Sequence, residues 1–177
     1  MKSYTVTENQ SLKDFTDNHC AQASFCFRAL LKAREIRVNG ERVGRDIPLQ
    51  AGDSVSYFLT AAQRGKQAFT VLYRDENVVV VDKESGVNSE AVFSALAEEG
   101  ECYFVHRLDR NTAGVMIFAC NESSNGALLA AFRAKRVEKI YHALVCGKME
   151  QRHAVEEACL LKDERAARVK ITKDRGE

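Results

Sequence analysis

Several features common in other protein classes are absent from this sequence of 177 residues. It has no tryptophan, one proline and no long apolar stretch, and its longest apolar run, Val78–Val81, is far too short to span a bilayer. The polar residues 1–10 predict that no signal peptide is present. The 26 basic and 25 acidic side chains give a formal net charge of only +1, which excludes a strongly polycationic binder. We therefore expect a cytoplasmic protein with no membrane association.

The motifs that hold metals, nucleotides or disulfide frameworks are also missing. The six cysteines are widely scattered, and no two have the two-residue spacing of a zinc or redox motif. They are Cys20, Cys26, Cys102, Cys120, Cys146 and Cys159. No Gly-rich loop ends in Gly-Lys-Ser or Gly-Lys-Thr. The sequence therefore predicts buried, reduced thiols and no metal site, with a disulfide framework as the alternative for the cysteines.

The first 60 residues have the pattern of a small helix–helix–hairpin module. Ser11 and Ser24 are each predicted to cap a short helix, because a serine precedes residues of helical apolar spacing. The Asn39-Gly40 dipeptide favours the positive φ values of a two-residue hairpin turn. A closing strand is predicted over 54–59.

A polar stretch over 61–67 separates this module from a different pattern. Strands are predicted over 69–73, 78–81, 103–105, 115–119 and 140–145, and helices over 91–98 and 122–134, the second capped by Asn121. The β-branched run Val78–Val81 is typical of a central strand. Because many strands are adjacent in sequence, the predicted class is α+β, with a mixed, largely antiparallel sheet and helices.

The loop over residues 106–114 is the strongest candidate for chemistry. It places Asp109 among His106, Arg107 and Arg110, and neighbouring cations favour the ionised carboxylate that a nucleophile or a base requires. A structural Asp–Arg pair in a turn is the alternative. A protein-kinase catalytic loop does not match, because Leu108 separates the arginine from the aspartate.

A second candidate is a basic cluster in the front module, which consists of Arg28, Lys32, Arg34, Arg37 and Arg42. A local excess of positive charge can bind the RNA backbone with little sequence information. A solvated charged face is the alternative explanation.

At these residues the sequence resembles a known family. The loop over 106–114 is similar to the H-R-L-D-x-x-T-S-G signature of RluA-type pseudouridine synthases. Residues 80–86 and 137–145 are similar to the flanking V-x-K-P-x-G and V-x-K-x-Y-x-A-x-V elements of that family. Val38-Asn39-Gly40 and Ala51-Gly52-Asp53 resemble motifs of the alpha-L RNA-binding domain of a ribosomal protein.

The resemblance implies a domain order and a set of roles. Residues 1–60 would be the alpha-L domain, 61–68 a linker and 69–177 the N-terminal part of the catalytic domain. Asp109 would be the essential nucleophile or base, and Arg107 would fill the space left by a flipped uridine, unless it pairs with Asp109. Tyr141 would contact the flipped base, unless it packs in the core. No cofactor is implied.

The resemblance also implies RNA as the partner, with ribosomal RNA favoured over transfer RNA. The residues expected to contact RNA are the basic cluster of the front module together with Lys83, Arg110 and Lys139. Lys83 and Lys139 have an equal alternative as solvated charges at strand ends.

The chain departs from the family pattern at three places. Glu84 stands where proline is common, and Ala113 stands where serine is common. Nothing in the sequence matches the family's third motif, R-L-x-T-G-R-x-H-Q-I-R. We therefore expect a truncated catalytic domain with weak or no catalysis by itself. The alternative function is a non-catalytic RNA-binding remnant of such an enzyme.

Overall fold

The structure is a computed structural model that describes residues 2–148, 153, 155, 158–163 and 168–172. Its helices and antiparallel strands confirm the α+β class. The chain divides into two compact units, Met1–Glu138 and Lys139–Glu177.

The front segment, defined here as residues 1–60, is built on a four-stranded sheet crossed by three short helices. Ser11 caps the first helix as predicted, since its hydroxyl oxygen accepts a hydrogen bond from the Asp14 amide. The elements in chain order are β1 Lys2–Thr5, β2 Gln10–Ser11, α1 Leu12–His19, α2 Ala21–Phe25, α3 Phe27–Ala33, β3 Ile36–Val38, β4 Glu41–Val43, β5 Pro48–Leu49 and β6 Ser54–Tyr57.

The strands of the front segment pair in the order β1-β6-β3-β4, and β2 pairs with β5. The β3–β4 turn has φ values of 51° at Asn39 and 85° at Gly40, as the hairpin prediction requires. Apolar residues such as Phe15, Ile36 and Tyr57 form its buried core.

One local prediction in this region is wrong. Ser24 does not cap a helix, because it lies inside α2 and its hydroxyl donates to Asp17, seven positions earlier. The stretch expected to be a linker begins with a short helix, α4 Ala61–Arg64. Its capping box, formed by Thr60 and Gln63, supplies the local hydrogen bonds that begin this helix.

The body, defined here as residues 69–138, is a second four-stranded antiparallel sheet with two helices. Its strand order is β7-β8-β10-β9, so the β-branched strand β8 is central, as predicted. The elements are β7 Phe69–Arg74, β8 Val78–Lys83, α5 Ser89–Ala97, β9 Tyr103–Phe104, β10 Gly114–Ala119 and α6 Glu122–Arg133. Asn121 caps α6 through a hydrogen bond from the Ser124 amide.

The front segment packs directly on the body within the first compact unit. Ala21 of α2 is buried in the apolar core that Val81 and Met116 form in the body. The Asn88 side-chain amide donates to the Asn18 side-chain oxygen at 2.9 Å. Helix α1 therefore lies against α5, close to the loop that joins β9 to β10.

The second unit contains the hairpin of β11 Cys159–Asp163 and β12 Arg168–Thr172. The strand predicted over 140–145 is not formed. Strands need a hydrogen-bonded neighbour, and within the described residues no strand pairs with this stretch. No helix in the described part of the chain has the length and apolarity to cross a bilayer.

Candidate active site

The signature loop, defined as residues 106–114, connects β9 to β10 and is anchored at both ends. Leu108 is buried in the core of the body. The His106 Nε2 atom accepts a hydrogen bond from the Ile117 amide at 3.1 Å, and its ring stacks on Phe132. The Thr112 amide donates to the Asp109 carbonyl at 3.0 Å and closes a turn. These contacts therefore fix the backbone of the loop and the positions from which its exposed side chains project.

Residues 85–89, from the segment after β8 to the first residue of α5, hold the backbone of the signature loop. The Ser89 hydroxyl donates to the Leu108 carbonyl at 2.7 Å and accepts from the Leu108 amide at 3.0 Å. The Gly86 amide donates to the Arg110 carbonyl at 2.8 Å. The Ser85 hydroxyl donates to the Asn111 carbonyl at 3.0 Å. These bonds fix the backbone on both sides of Asp109.

Lys83 is the charged centre of this arrangement, and its side chain is 0% exposed. Its ammonium donates to the carbonyls of Val87 at 2.8 Å, Glu84 at 3.1 Å and Arg110 at 3.4 Å. Burial lowers the pKa of Lys83, while the carboxylates of Asp109 and Glu90 partly offset that effect. Lys83 thus lies close enough to Asp109 for their charges to interact.

This position corrects the sequence expectation for Lys83. A fully buried ammonium whose three donors meet backbone carbonyls is not available to an RNA phosphate. It is not a solvated strand-end charge either. The side-chain alternation of β8 could have predicted the burial of Lys83. Val79, Val81 and Lys83 share one face of the strand, and all three are buried.

The Asp109 side chain is exposed at the surface of the anchored loop. An exposed carboxylate on a rigid backbone can approach a ligand without first rearranging the loop. A carboxylate in such a position can act as a nucleophile or as a base.

Arg107 projects from the same loop with its side chain 63% exposed. Its guanidinium forms an ion pair with Glu90 on α5, with 3.0 Å between Nη1 and Oε1. The sequence left open a pair between Arg107 and Asp109, and the structure supplies Glu90 as the partner instead. The Asp109 carboxylate is therefore not covered by this pair.

Arg110, in the same loop, is bonded to the front segment. Its guanidinium pairs with Asp17 of α1 and donates to the Ser24 hydroxyl at 3.1 Å. These two contacts engage part of the donor set of the guanidinium, and the side chain is 38% exposed, so contact of Arg110 with RNA stays a prediction.

The structure thus gathers Lys83, Arg107, Asp109 and Arg110 around one loop of the first unit. Tyr141 and Lys139 belong to the second unit, where Tyr141 is 59% exposed rather than packed in a core. The Lys139 side chain is also exposed.

The basic cluster of the front segment is largely on its surface. Arg28, Lys32, Arg34 and Arg42 are exposed, while Arg37 is half-buried with its guanidinium 4.8 Å from the centre of the Phe58 ring. Arg37 and Arg42 are direct cross-strand partners in β3 and β4. Like charges at such positions repel each other, so this pair favours an anionic ligand.

Sequence reasoning missed the residues that support the loop, above all Ser89, Glu90 and Asp17. Ser85 and Gly86 stood inside the upstream element of the resemblance and were not assigned a role. No sequence pattern indicated a role for Asp17, because its partner Arg110 is 93 positions away in the chain. No three His, Cys, Asp or Glu side chains among the described residues form a cluster that could hold a metal ion.

A comparison with protein families matches residues 77–177 to the RNA pseudouridylate synthase family. Curated relatives include a protein of Vibrio parahaemolyticus named ribosomal large subunit pseudouridine synthase C, with 30% identity over 80% of this chain and 52% of its own length. The protein of the same name from Escherichia coli K12 has 33% identity over 79% of this chain and 51% of its own length. The chain spans about half the length of these relatives.

Among solved structures, the human RNA pseudouridylate synthase domain containing 4 matches 38% of this chain and 30% of its own chain. The TM-score is 0.32 and the sequence identity is 25%.

Proposed function

Since this chain belongs to the RNA pseudouridylate synthase family, we propose that it isomerises specific uridines of structured RNA to pseudouridine, with Asp109 as the essential carboxylate. The observation that carries the proposal is the exposed Asp109 on a loop fixed by Lys83 and Ser89. The reaction cleaves the bond between uracil and ribose, turns the base and rejoins it through carbon. This chemistry needs no redox cofactor or activated donor.

In this proposal Asp109 acts on the ribosyl ring as a nucleophile or as a base. Both roles require an ionised carboxylate that the substrate can reach. The exposure of Asp109 supports either role. Fixing the loop backbone before the substrate arrives lowers the entropic cost of aligning the carboxylate with the sugar.

A uridine in a folded RNA must leave its stack before the glycosidic bond becomes accessible. We assign Arg107 to the space that the base vacates, because a planar cation can stack on bases and bond phosphates. Its exposed guanidinium, which pairs with Glu90 and belongs to the same loop as Asp109, supports this assignment. Tyr141 is assigned to the flipped base, since an aromatic ring can stack on uracil.

The front segment is proposed to be an alpha-L RNA-binding domain over residues 1–60, joined through 61–68 to a catalytic region over 69–177. The two motifs that suggested it are bonded to each other. The Asn39 side-chain amide donates to the Asp53 carboxylate at 2.8 Å, and the Asn39 side-chain oxygen accepts from the Ser54 amide at 2.9 Å. These bonds fix the hairpin that presents Arg37 and Arg42.

Large-subunit ribosomal RNA is the proposed substrate. The names of the curated relatives support this choice over transfer RNA. The surface of Arg28, Lys32, Arg34, Arg37 and Arg42 would hold the phosphate backbone. Lys139, exposed in the second unit, is proposed as a further phosphate contact.

Release of tritium from ribosomal RNA labelled at carbon five of uridine tests this proposal. Wild-type protein should release tritium with time, at a low rate because nothing in the sequence matches the family's third motif. Asp109→Asn should lower the rate at least about 100-fold, because it replaces a catalytic carboxylate with a neutral side chain of the same shape.

The matched control is Asp82→Asn, which makes the same change at an exposed carboxylate of β8, on the strand face opposite Lys83. Asp82→Asn should retain the wild-type rate. Equal rates for wild type and Asp109→Asn would refute the role of Asp109. RNA binding without any tritium release by the wild type would instead favour the non-catalytic RNA-binding alternative.

A further inference from the structure

The side chain of Asp17, on α1 of the front segment, joins two parts of the chain that are distant in sequence. It is 7% exposed. Its carboxylate accepts hydrogen bonds from Lys13, one turn earlier on the same helix, and from Arg110 of the signature loop. The Ser24 hydroxyl donates to the other carboxylate oxygen at 2.5 Å.

Ser24 also completes the link to Arg110. Its hydroxyl accepts a hydrogen bond from Arg110 Nη2 at 3.1 Å while it donates to Asp17. The guanidinium therefore meets the front segment through two of its nitrogens, which restrains its direction as well as its position. A single long ion pair would leave that direction free.

Asp17 is charged in the folded protein. Burial favours its neutral form, but hydrogen bonds from Lys13 and Ser24 and the positive charges of Lys13 and Arg110 outweigh burial and lower its pKa. A buried carboxylate surrounded by donors is costly to leave with fewer partners, so Asp17 strongly favours the position of Arg110 that is observed.

Arg110 is covalently next to Asp109, and its backbone is also held. Its carbonyl accepts from the Gly86 amide at 2.8 Å and from the Lys83 ammonium at 3.4 Å. The body therefore fixes the main chain of residue 110, and the front segment fixes its side chain. Together they fix the backbone from which Asp109 projects.

We propose that Asp17 is a positioning residue for catalysis, which sets the orientation of the Asp109 loop by holding Arg110. The inference rests on the proposed function, because positioning matters only if Asp109 reacts. It assigns the front segment a second role besides RNA contact, as a structural part of the active site. Removal of the link should affect turnover more than RNA binding.

Hydrogen–deuterium exchange of residues 106–114 tests the link without requiring activity. Asp17→Asn and Arg110→Gln should each make these amides exchange about tenfold faster than in the wild type, because the loop opens more often. The double variant should exchange no faster than either single variant, since both remove the same interaction.

Lys13→Gln is the matched control. It removes the other cation from the same carboxylate but leaves Arg110 in place. Loop exchange should stay within about twofold of the wild type. Ser24→Ala is a milder second variant, because it removes only the bridging hydroxyl and inserts a good helix former in α2. It keeps the test valid if Asp17→Asn fails to fold.

The kinetic readout is the division between kcat and KM in tritium release. Asp17→Asn and Arg110→Gln should lower kcat by about 10- to 100-fold, with KM within about twofold of the wild type. Lys13→Gln should leave both parameters close to the wild type. If Asp17 had a merely structural role, Lys13→Gln and Arg110→Gln would change kcat and KM to the same extent.

Unchanged loop exchange in Arg110→Gln and Ser24→Ala, or equal acceleration in Lys13→Gln, would overturn the inference. Accelerated exchange together with wild-type kcat would overturn its catalytic part. If the wild type releases no tritium while the exchange pattern holds, the proposed function fails and the link between Asp17 and the loop stands.

Discussion

Lys83 carries a buried charge, and the hydrogen bonds that satisfy this charge also support the signature loop. An ammonium removed from water needs nearby acceptors, and the carbonyls of Glu84, Val87 and Arg110 provide them. The bond to Arg110 connects the end of a central strand to the residue after Asp109. A lysine can do this because its long flexible stem carries three donors.

Replacement of Lys83 by methionine should destabilise the protein. Methionine fills a similar volume but leaves the buried Val87 carbonyl without its donor. We expect the free energy of unfolding to fall by about 1–3 kcal/mol in urea denaturation. Lys32→Met, at an exposed position of α3, should change it by less than about 0.5 kcal/mol. Equal losses in the two variants would contradict this account of Lys83.

The charge on Asp17 predicts how stability depends on acid. The folded pKa of Asp17 is lowered, whereas an aspartate in the unfolded chain takes up its proton near pH 3.9. The unfolded state therefore binds the proton first as pH falls. The stabilisation is present above about pH 4 and is lost as pH falls through the lower folded pKa.

Asp17→Asn lacks this titration. Its urea midpoint should fall less than that of the wild type between about pH 5 and pH 3. Parallel curves for the two proteins would show that Asp17 does not contribute to the pH dependence.

At the scale of elements, helix caps and turns were predictable where their causes are local. Ser11 and Asn121 each cap the helix that follows them, because the bonded amide is three residues away. The same reasoning failed at Ser24, whose hydroxyl bonds Asp17 and Arg110 instead of starting a helix. Partners that folding brings from 86 positions away leave no pattern in the neighbouring sequence.

In the β3–β4 hairpin, removal of one arginine should raise the stability of the protein and lower its affinity for RNA. Arg42→Gln removes the repulsion between Arg37 and Arg42, so the free energy of unfolding should rise by about 0.2–1 kcal/mol. The same change removes a cation from the proposed phosphate surface. RNA affinity should fall, and the slope of log K against log salt should decrease in magnitude by about 1.

Arg74→Gln is the control for this experiment. The Arg74 guanidinium already pairs with Glu99, with 2.8 Å between Nη2 and Oε2, so its loss should leave the salt slope unchanged. An unchanged slope in Arg42→Gln would exclude Arg42 from the RNA surface.

For the whole molecule, sequence patterns predicted the class and the position of the candidate loop, but not how the parts are joined. The β-branched run Val78–Val81 indicated a central strand, because the preference of such residues for strands is a local property. The packing of α1 on α5 depends on pairs such as Asn18 with Asn88, which no periodicity encodes. The strand predicted over 140–145 fails for a related reason, since a strand depends on a partner elsewhere in the chain.

The most direct test of the account is identification of the product. In vitro transcribed large-subunit ribosomal RNA is incubated with the wild type or with Asp109→Asn, digested to nucleosides and analysed by chromatography. The account predicts that the wild type produces pseudouridine with an equal loss of uridine, and that Asp109→Asn produces none above background. Absence of pseudouridine with the wild type, or equal amounts with both proteins, would contradict it.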